Sequence, residues 1–234
     1  MKRIKVLSSI SAILAVILIF SFGDSLWFFA TGELRKLKTP NVNLTYIYEK
    51  RLDEINEIKL SEYWDLGIIG DSIAYSIDPK LLSKCCLIKA FNIGIPGETA
   101  QNLATRIEKA TIPSTDHLYL LVGTNDIGRN TQVAKVLENI SSIANQLEFS
   151  KVTFVSIPLT NGFQRDNRKL VELNAGIEEM ILNSSASFLD INKVLILDGK
   201  LNGTLSDDGL HLNEKGVDLV IKVISNHHRS FLKK

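Results

Sequence analysis

Five short apolar runs alternate with amphipathic stretches from residue 61 onward, and nothing else in the sequence narrows its fold as much. The runs are Leu66–Gly70, Cys86–Phe91, Leu118–Val122, Val152–Ile157 and Phe188–Ile191. Residues 79–84, 98–110, 131–147, 166–182 and 213–232 read as helices; Leu103, Ile107 and Ala110, for example, share one face. Runs that are apolar throughout, rather than at every second position, suit strands buried on both sides. Intervening helices supply the crossovers that parallel strands need and cover both faces. The expected fold class is α/β: a three-layer α/β/α, flavodoxin-like parallel sheet of about five strands. In such sheets ligands bind beyond the carboxyl ends of the strands, so chemistry is to be sought there.

Composition removes several alternatives. Hydrophobic residues make up 45% and charged residues 23%, too apolar for a disordered chain. Lys+Arg 27 against Asp+Glu 26 leaves a net charge of +1 without a basic run, so no nucleic-acid partner is expected. Cys85 and Cys86 are adjacent, which builds no disulfide framework and fits no zinc spacing. Within the second apolar run they would point to opposite sides of a strand.

The N-terminus departs from a globular pattern. Behind Lys2, Arg3 and Lys5, no charge appears from Val6 to Gly23. As a helix this stretch would span about 27 Å, close to the hydrocarbon thickness of a bilayer. Residues 1–30 are expected to be a retained signal anchor, because no small-x-small cleavage site follows the long apolar stretch. Trp27, Phe28 and Phe29 would sit at the interface. The expected location is a single-pass membrane protein with an extracytoplasmic catalytic domain; cleavage would instead give a secreted one. Residues 31–60 read as a juxtamembrane stalk, with a chain break at Thr39-Pro40-Asn41 and a charged helix over Tyr46–Leu60 taken as a solvated spacer. Residues 61–234 make one domain in size, expected to be monomeric.

Four polar clusters follow strand ends. They are Gly70-Asp71-Ser72-Ile73, Asn92-Ile93-Gly94-Ile95-Pro96-Gly97-Glu98-Thr99, Gly123-Thr124-Asn125-Asp126, and Asp208-Gly209-Leu210-His211 in the loop before the last helix. A serine, a glycine N–H, an amide side chain and an Asp/His pair are the parts of an acyl-transfer site. Gly-Asp-Ser also occurs as Gly23-Asp24-Ser25, but no strand precedes that copy and it reads as coincidence.

In this order the four blocks resemble those of the SGNH or GDSL hydrolase superfamily, across about residues 64–225. The chain looks most like the lysophospholipase/thioesterase and acyl-carbohydrate esterase branch. The resemblance implies Ser72 as nucleophile, His211 as base and Asp208 as its orienter. It implies an oxyanion hole formed by the Ser72 N–H, the Gly97 N–H and the Asn125 side chain. Ile73 stands where the family usually has Leu. The implied activity is hydrolysis of carboxylic esters, of short-acyl, O-acetyl-glycan or lysophospholipid type, without metal or cofactor.

Physical chemistry supports such roles. A serine hydroxyl is a poor nucleophile until a base removes its proton, and imidazole can do so near neutral pH. An aspartate three residues before the histidine can fold back onto its other ring nitrogen and fix the tautomer. Oxyanion donors must be preorganised, which an amide side chain and a glycine N–H allow. Blander roles are assigned to neighbours: Asp71 as a turn cap, Asn92 as a loop closer, Asp126 as a loop hydrogen-bond partner, and His117, His227 and His228 as solvated. Two further readings keep the fold but change the outcome: an acyltransferase to a sugar hydroxyl, or a glycan- or lipid-binding module without turnover. The partners expected are a small-molecule, lipid or glycan ester and, through the N-terminal segment, a membrane.

Overall fold

The computed structural model describes residues 44–231, apart from 59, 110, 162 and 163. The expected anchor at 1–30 and the first part of the stalk lie outside the described residues. Among those described, no helix is long and apolar enough to cross a membrane.

Five strands form one parallel sheet: β1 (Trp64–Gly70), β2 (Ala90–Asn92), β3 (Thr115–Leu121), β4 (Val152–Val155) and β5 (Ser187–Leu189), in the order β2-β1-β3-β4-β5. The three interior strands β1, β3 and β4 carry the apolar runs, and from Leu66 to Gly70 every residue of β1 is buried. Alternate residues feed two separate cores. Ile69, Leu118, Leu120 and Phe154 face one side and meet the helices α4 (Ala100–Lys109), α6 (Val133–Gln146) and α7 (Asn167–Ile181). Leu66, Ile68, Tyr119 and Val155 face the other and meet α2 (Ser72–Tyr75), α3 (Pro79–Cys86), α8 (Asn192–Leu195) and α9 (Glu214–Phe231). This is the three-layer α/β/α arrangement that the apolar runs predict.

Several boundaries differ. The second strand begins at Ala90, not at Cys86, so Cys85 and Cys86 end α3 rather than open a strand. The helix is set by its start: Asp78 caps it, accepting from Lys80 N at 2.8 Å, and Pro79 occupies the first turn. It runs until Leu87 turns left-handed at φ 56°, which releases the chain into β2. A two-stranded ribbon, β6 (Ile196–Leu197) with β7 (Lys200–Leu201), was not foreseen. Asp198 and Gly199, both at positive φ, make its tight turn, as an Asp-Gly pair should.

The charged helix of the stalk is not a solvated spacer. It is α1 (Leu44–Asn56), and from Tyr48 onward the chain belongs to the same compact unit as the sheet, which therefore begins before residue 61. Ile55 and Ile58 pack on the first core. The Arg51 side chain lies over the Tyr75 ring, 4.9 Å from its centre, and reaches the loop after β2. The three histidines expected in solvent are not there either. His117 and His228 are buried, and His227 bonds Tyr119.

Candidate active site

Parallel pairing carries the polar blocks to one edge. Gly70, the last residue of β1, pairs with Leu121, the last of β3. Two residues beyond these strand ends lie Ser72 after β1 and Gly123 after β3. Gly70 has φ +147°, and a Cβ there would sit 1.8 Å from Leu121 O, so only glycine lets the chain leave β1 this close to its neighbour. Asp71 then caps the one-turn helix α2, its Oδ1 accepting from Ile73 N at 2.9 Å. Ser72, half-buried, is the first residue of that turn.

Asp71 does more than cap. It is fully buried, and its Oδ2 and the Thr124 Oγ1 have no hydrogen-bond partner among the described residues. Burial pushes its carboxyl up to about 7, against the pull of the Ile73 N–H, the nearby Thr124 hydroxyl and the charge of His211.

The Asp208–His211 pair is closed. Asp208 Oδ2 accepts from His211 Nδ1 at 2.8 Å, and Oδ1 accepts from the amides of Leu210 (2.9 Å) and His211 (2.8 Å). Burial alone would raise the Asp208 carboxyl, but these donors outweigh it and hold it below the usual range. A carboxylate acceptor on Nδ1 puts the proton there and leaves Nε2 as the basic nitrogen. The loop is pinned to the segment after β4 by Asn161 N donating to Gly209 O at 3.0 Å. No hydrogen bond joins Ser72 to His211; such contacts are often long before a substrate is bound.

The two remaining blocks meet each other. Asn125 lies in the short helix α5 (Thr124–Gly128) and donates from Nδ2 to Glu98 O at 3.0 Å. An amide NH₂ has two hydrogens, so one remains for a developing oxyanion. Gly97, just before Glu98, is exposed with φ +80°, and a Cβ there would meet nothing within 4 Å. Its glycine is required by backbone conformation, not by crowding.

The predicted structural roles hold. Asn92 donates to Ala74 O and Ile77 O at 2.8 and 2.7 Å and accepts from Gly94 N at 2.7 Å, closing its loop. Asp126 accepts from Ala100 N at 2.9 Å, at the start of α4.

Sequence reasoning missed the arginines behind these loops. Arg106 grips buried Glu98 with two 2.7 Å bonds and donates to Ile93 O at 2.9 Å. Arg51 donates to Gly94 O at 3.0 Å and Asn92 O at 2.7 Å. Neither left a local signal: Glu98 precedes α4 and stands eight residues from Arg106, beyond the three- or four-residue spacing of helical pairs, and Arg51 is further still in sequence. Among the described residues no cluster of histidine, cysteine and carboxylates could hold a metal.

Residues 68–219 match the GDSL-like Lipase/Acylhydrolase family. The chain belongs to this family. By that family match it is an SGNH/GDSL acylhydrolase, a serine ester hydrolase. A GDSL-like lipase from Bacteroides thetaiotaomicron superposes with TM-score 0.67 at 20% identity, covering 78% of this chain and 97% of that one. An acetyl xylan esterase superposes with TM-score 0.60 at 19% identity, covering 69% and 98%. At these identities the likeness concerns the fold. By sequence, an N-acylneuraminate cytidylyltransferase from Streptococcus agalactiae serotype III is 26% identical over 156 residues, 65% of this chain and 36% of that protein. The GDSL-like chain thus spans little more than a third of the curated relatives it matches.

Proposed function

We propose that this GDSL-like hydrolase removes a short acyl group from a carbohydrate hydroxyl through an acyl-enzyme on Ser72. The observation that carries this reading is the closed Asp208–His211 pair at the strand edge where β1 delivers Ser72. His211 Nε2 takes the Ser72 proton as Oγ attacks the ester carbonyl. The oxyanion is received by the Ser72 and Gly97 N–H groups and the free Asn125 hydrogen. Collapse expels the sugar alkoxide, which leaves with the proton from His211. Water, activated by the same nitrogen, then releases the acid. Asp208 stabilises the imidazolium in both halves. An acetyl xylan esterase among the fold neighbours and a relative named for an acylated sugar support a carbohydrate rather than a lysophospholipid as the alcohol. Residues 1–30 would hold the monomeric catalytic domain at the outer face of a membrane, on the strength of their length and lack of charge.

A fluorophosphonate probe tests the chemistry. It should label the peptide containing Ser72, and Ser72→Ala should lose both labelling and hydrolysis of acetyl esters. Ser25→Ala should retain both. Labelling that survives Ser72→Ala would overturn the assignment. Release of the full chain from membranes by carbonate would overturn the anchor.

A further inference from the structure

Two arginines at the oxyanion edge form no close ion pair among the described residues. Arg129 directly follows α5 and donates from Nη2 to Gly97 O at 3.2 Å. Arg165, in the loop after β4, donates from Nε to Thr124 O at 2.9 Å and from Nη1 to Gln164 O at 2.6 Å. Its guanidinium lies flat against Gly128, where a Cβ would come within 2.4 Å of Nε and 2.5 Å of Cζ. Both cations therefore hold α5, the helix that carries Asn125. One touches Gly97 and the other touches the neighbour of Asn125.

The other arginines near these loops are neutralised. Arg51 has Glu54 at 2.9 Å, Arg106 has Glu98 at 2.7 Å and Arg168 has Asp166 at 3.2 Å. Among the described residues, neither Arg129 nor Arg165 has a carboxylate within 4 Å. The acids of the site are already engaged: Glu98 by Arg106, Asp126 by Ala100 N, Asp208 by His211. Asp71 acts on Arg165 and Asp126 on Arg129 from further off, but burial raises both carboxyls and so weakens their charge. Arg165 is half-buried, and burial works against its charge. An incompletely hydrated guanidinium with spare donors is a carboxylate receptor, since its planar N–H groups match the two oxygens.

We propose that Arg129 and Arg165 bind a carboxylate carried by the substrate, so that the preferred ester is an O-acyl ester of an acidic sugar. The inference rests on the esterase reading and narrows it. A carboxylate held there anchors the sugar on the oxyanion side, which leaves the acylated hydroxyl to face Ser72. The relative's name, which refers to an N-acylated sugar acid, agrees with this chemistry.

The test uses the full chain and three esters: O-acetyl N-acetylneuraminic acid, the same compound with its carboxyl group methyl-esterified, and 4-methylumbelliferyl acetate. Wild type should prefer the free acid over its methyl ester by about tenfold or more in kcat/KM, mostly through KM, because a tenfold preference needs only one good charged contact. The preference should shrink with added salt. In Arg129→Gln and Arg165→Gln the ratio of acid to methyl ester should fall toward one, furthest in the double variant. Equal wild-type kcat/KM on acid and methyl ester would sink the inference alone. So would a loss in the variants that is the same on all three esters and lies in kcat, since the arginines would then serve the oxyanion. No turnover of any ester by wild type would sink the esterase reading, and the inference with it.

Discussion

The GDSL-like chain has four histidines, and the two ends of its sheet treat them in opposite ways. At the carboxyl end, His211 is half-exposed and held by the Asp208 carboxylate. At the amino end, His117, His227 and His228 gather against Tyr119 and Phe231, with no carboxylate bonded to them among the described residues. His117 bonds the Thr153 hydroxyl at 2.5 Å, His227 bonds the Tyr119 hydroxyl, and buried His228 has no hydrogen-bond partner on either nitrogen among the described residues. Burial lowers all three, His117 to about 4, with the neighbouring histidines adding to the effect and Asp116 and Asp65 opposing it. A histidine becomes a base through its partner and its access to solvent. The richer cluster is the less reactive one. Concavity misleads in the same direction: a cleft lined by Pro113, Thr115, Leu147 and Lys151 lies at the amino end, away from Ser72.

Substitution is the largest test of this contrast. Asp208→Asn should lower kcat about 10⁴-fold by favouring the wrong tautomer of His211, whereas His228→Phe should leave kcat within about twofold. Kinetics on a soluble acetyl ester decide it, and comparable losses in both would erase the distinction between the two ends.

A smaller effect sharpens the carboxyl end. Asn125→Ala should lower kcat by about 10²–10³ with a lesser change in KM, as expected for a donor used mainly in the transition state. A change confined to KM would make Asn125 a ground-state contact.

The smallest effect is in stability, and its sign differs between the ends. A buried histidine lowered in the fold binds fewer protons folded than unfolded, so stability falls as pH drops through the ordinary imidazole range toward 4. Asp71, raised to about 7, binds more protons folded than unfolded, so its contribution is lost as pH rises from about 4 through 7. His228→Phe should therefore raise Tm more at pH 5 than at pH 8, and Asp71→Asn more at pH 8 than at pH 5. Thermal melts of both variants across that range check the crossing; parallel shifts would contradict it.

What the sequence disclosed, and what it hid, follows from the range of each interaction. The apolar runs of β1, β3 and β4 were legible because burial on both faces leaves a local mark. The four blocks were legible because each is contiguous; three of them close a strand, and the fourth lies in the loop that leads into α9. Asn92 and Asp126 were read as loop supports from their place in those blocks, although the groups they bond, Ala74 O and Ile77 O for Asn92 and Ala100 N for Asp126, lie in other segments. The second strand was misplaced because Cys85 to Ile88 is as apolar as a strand, and only the Asp78-Pro79 start decides that the helix continues. The histidine cluster was hidden because it joins β3 to a helix more than a hundred residues later. The docking of Arg51 on Asn92 and Gly94, and of Arg165 on Thr124, was hidden likewise: a long side chain bonding a distant carbonyl leaves no pattern near itself.

The sheet order has a consequence for behaviour in concentrated solution. Its edges are β2 and β5, three residues each, while the seven-residue β1 and β3 lie inside. An open strand is a template on which another chain can grow, and the length of free backbone sets how firmly it can hold. Three residues offer a poor foothold. The stretches most able to nucleate intermolecular sheet are shielded on both flanks by their own neighbours. Aggregation of this hydrolase should therefore begin from unfolded or partly opened chains, and its rate should follow the population of those states rather than the concentration of the native fold.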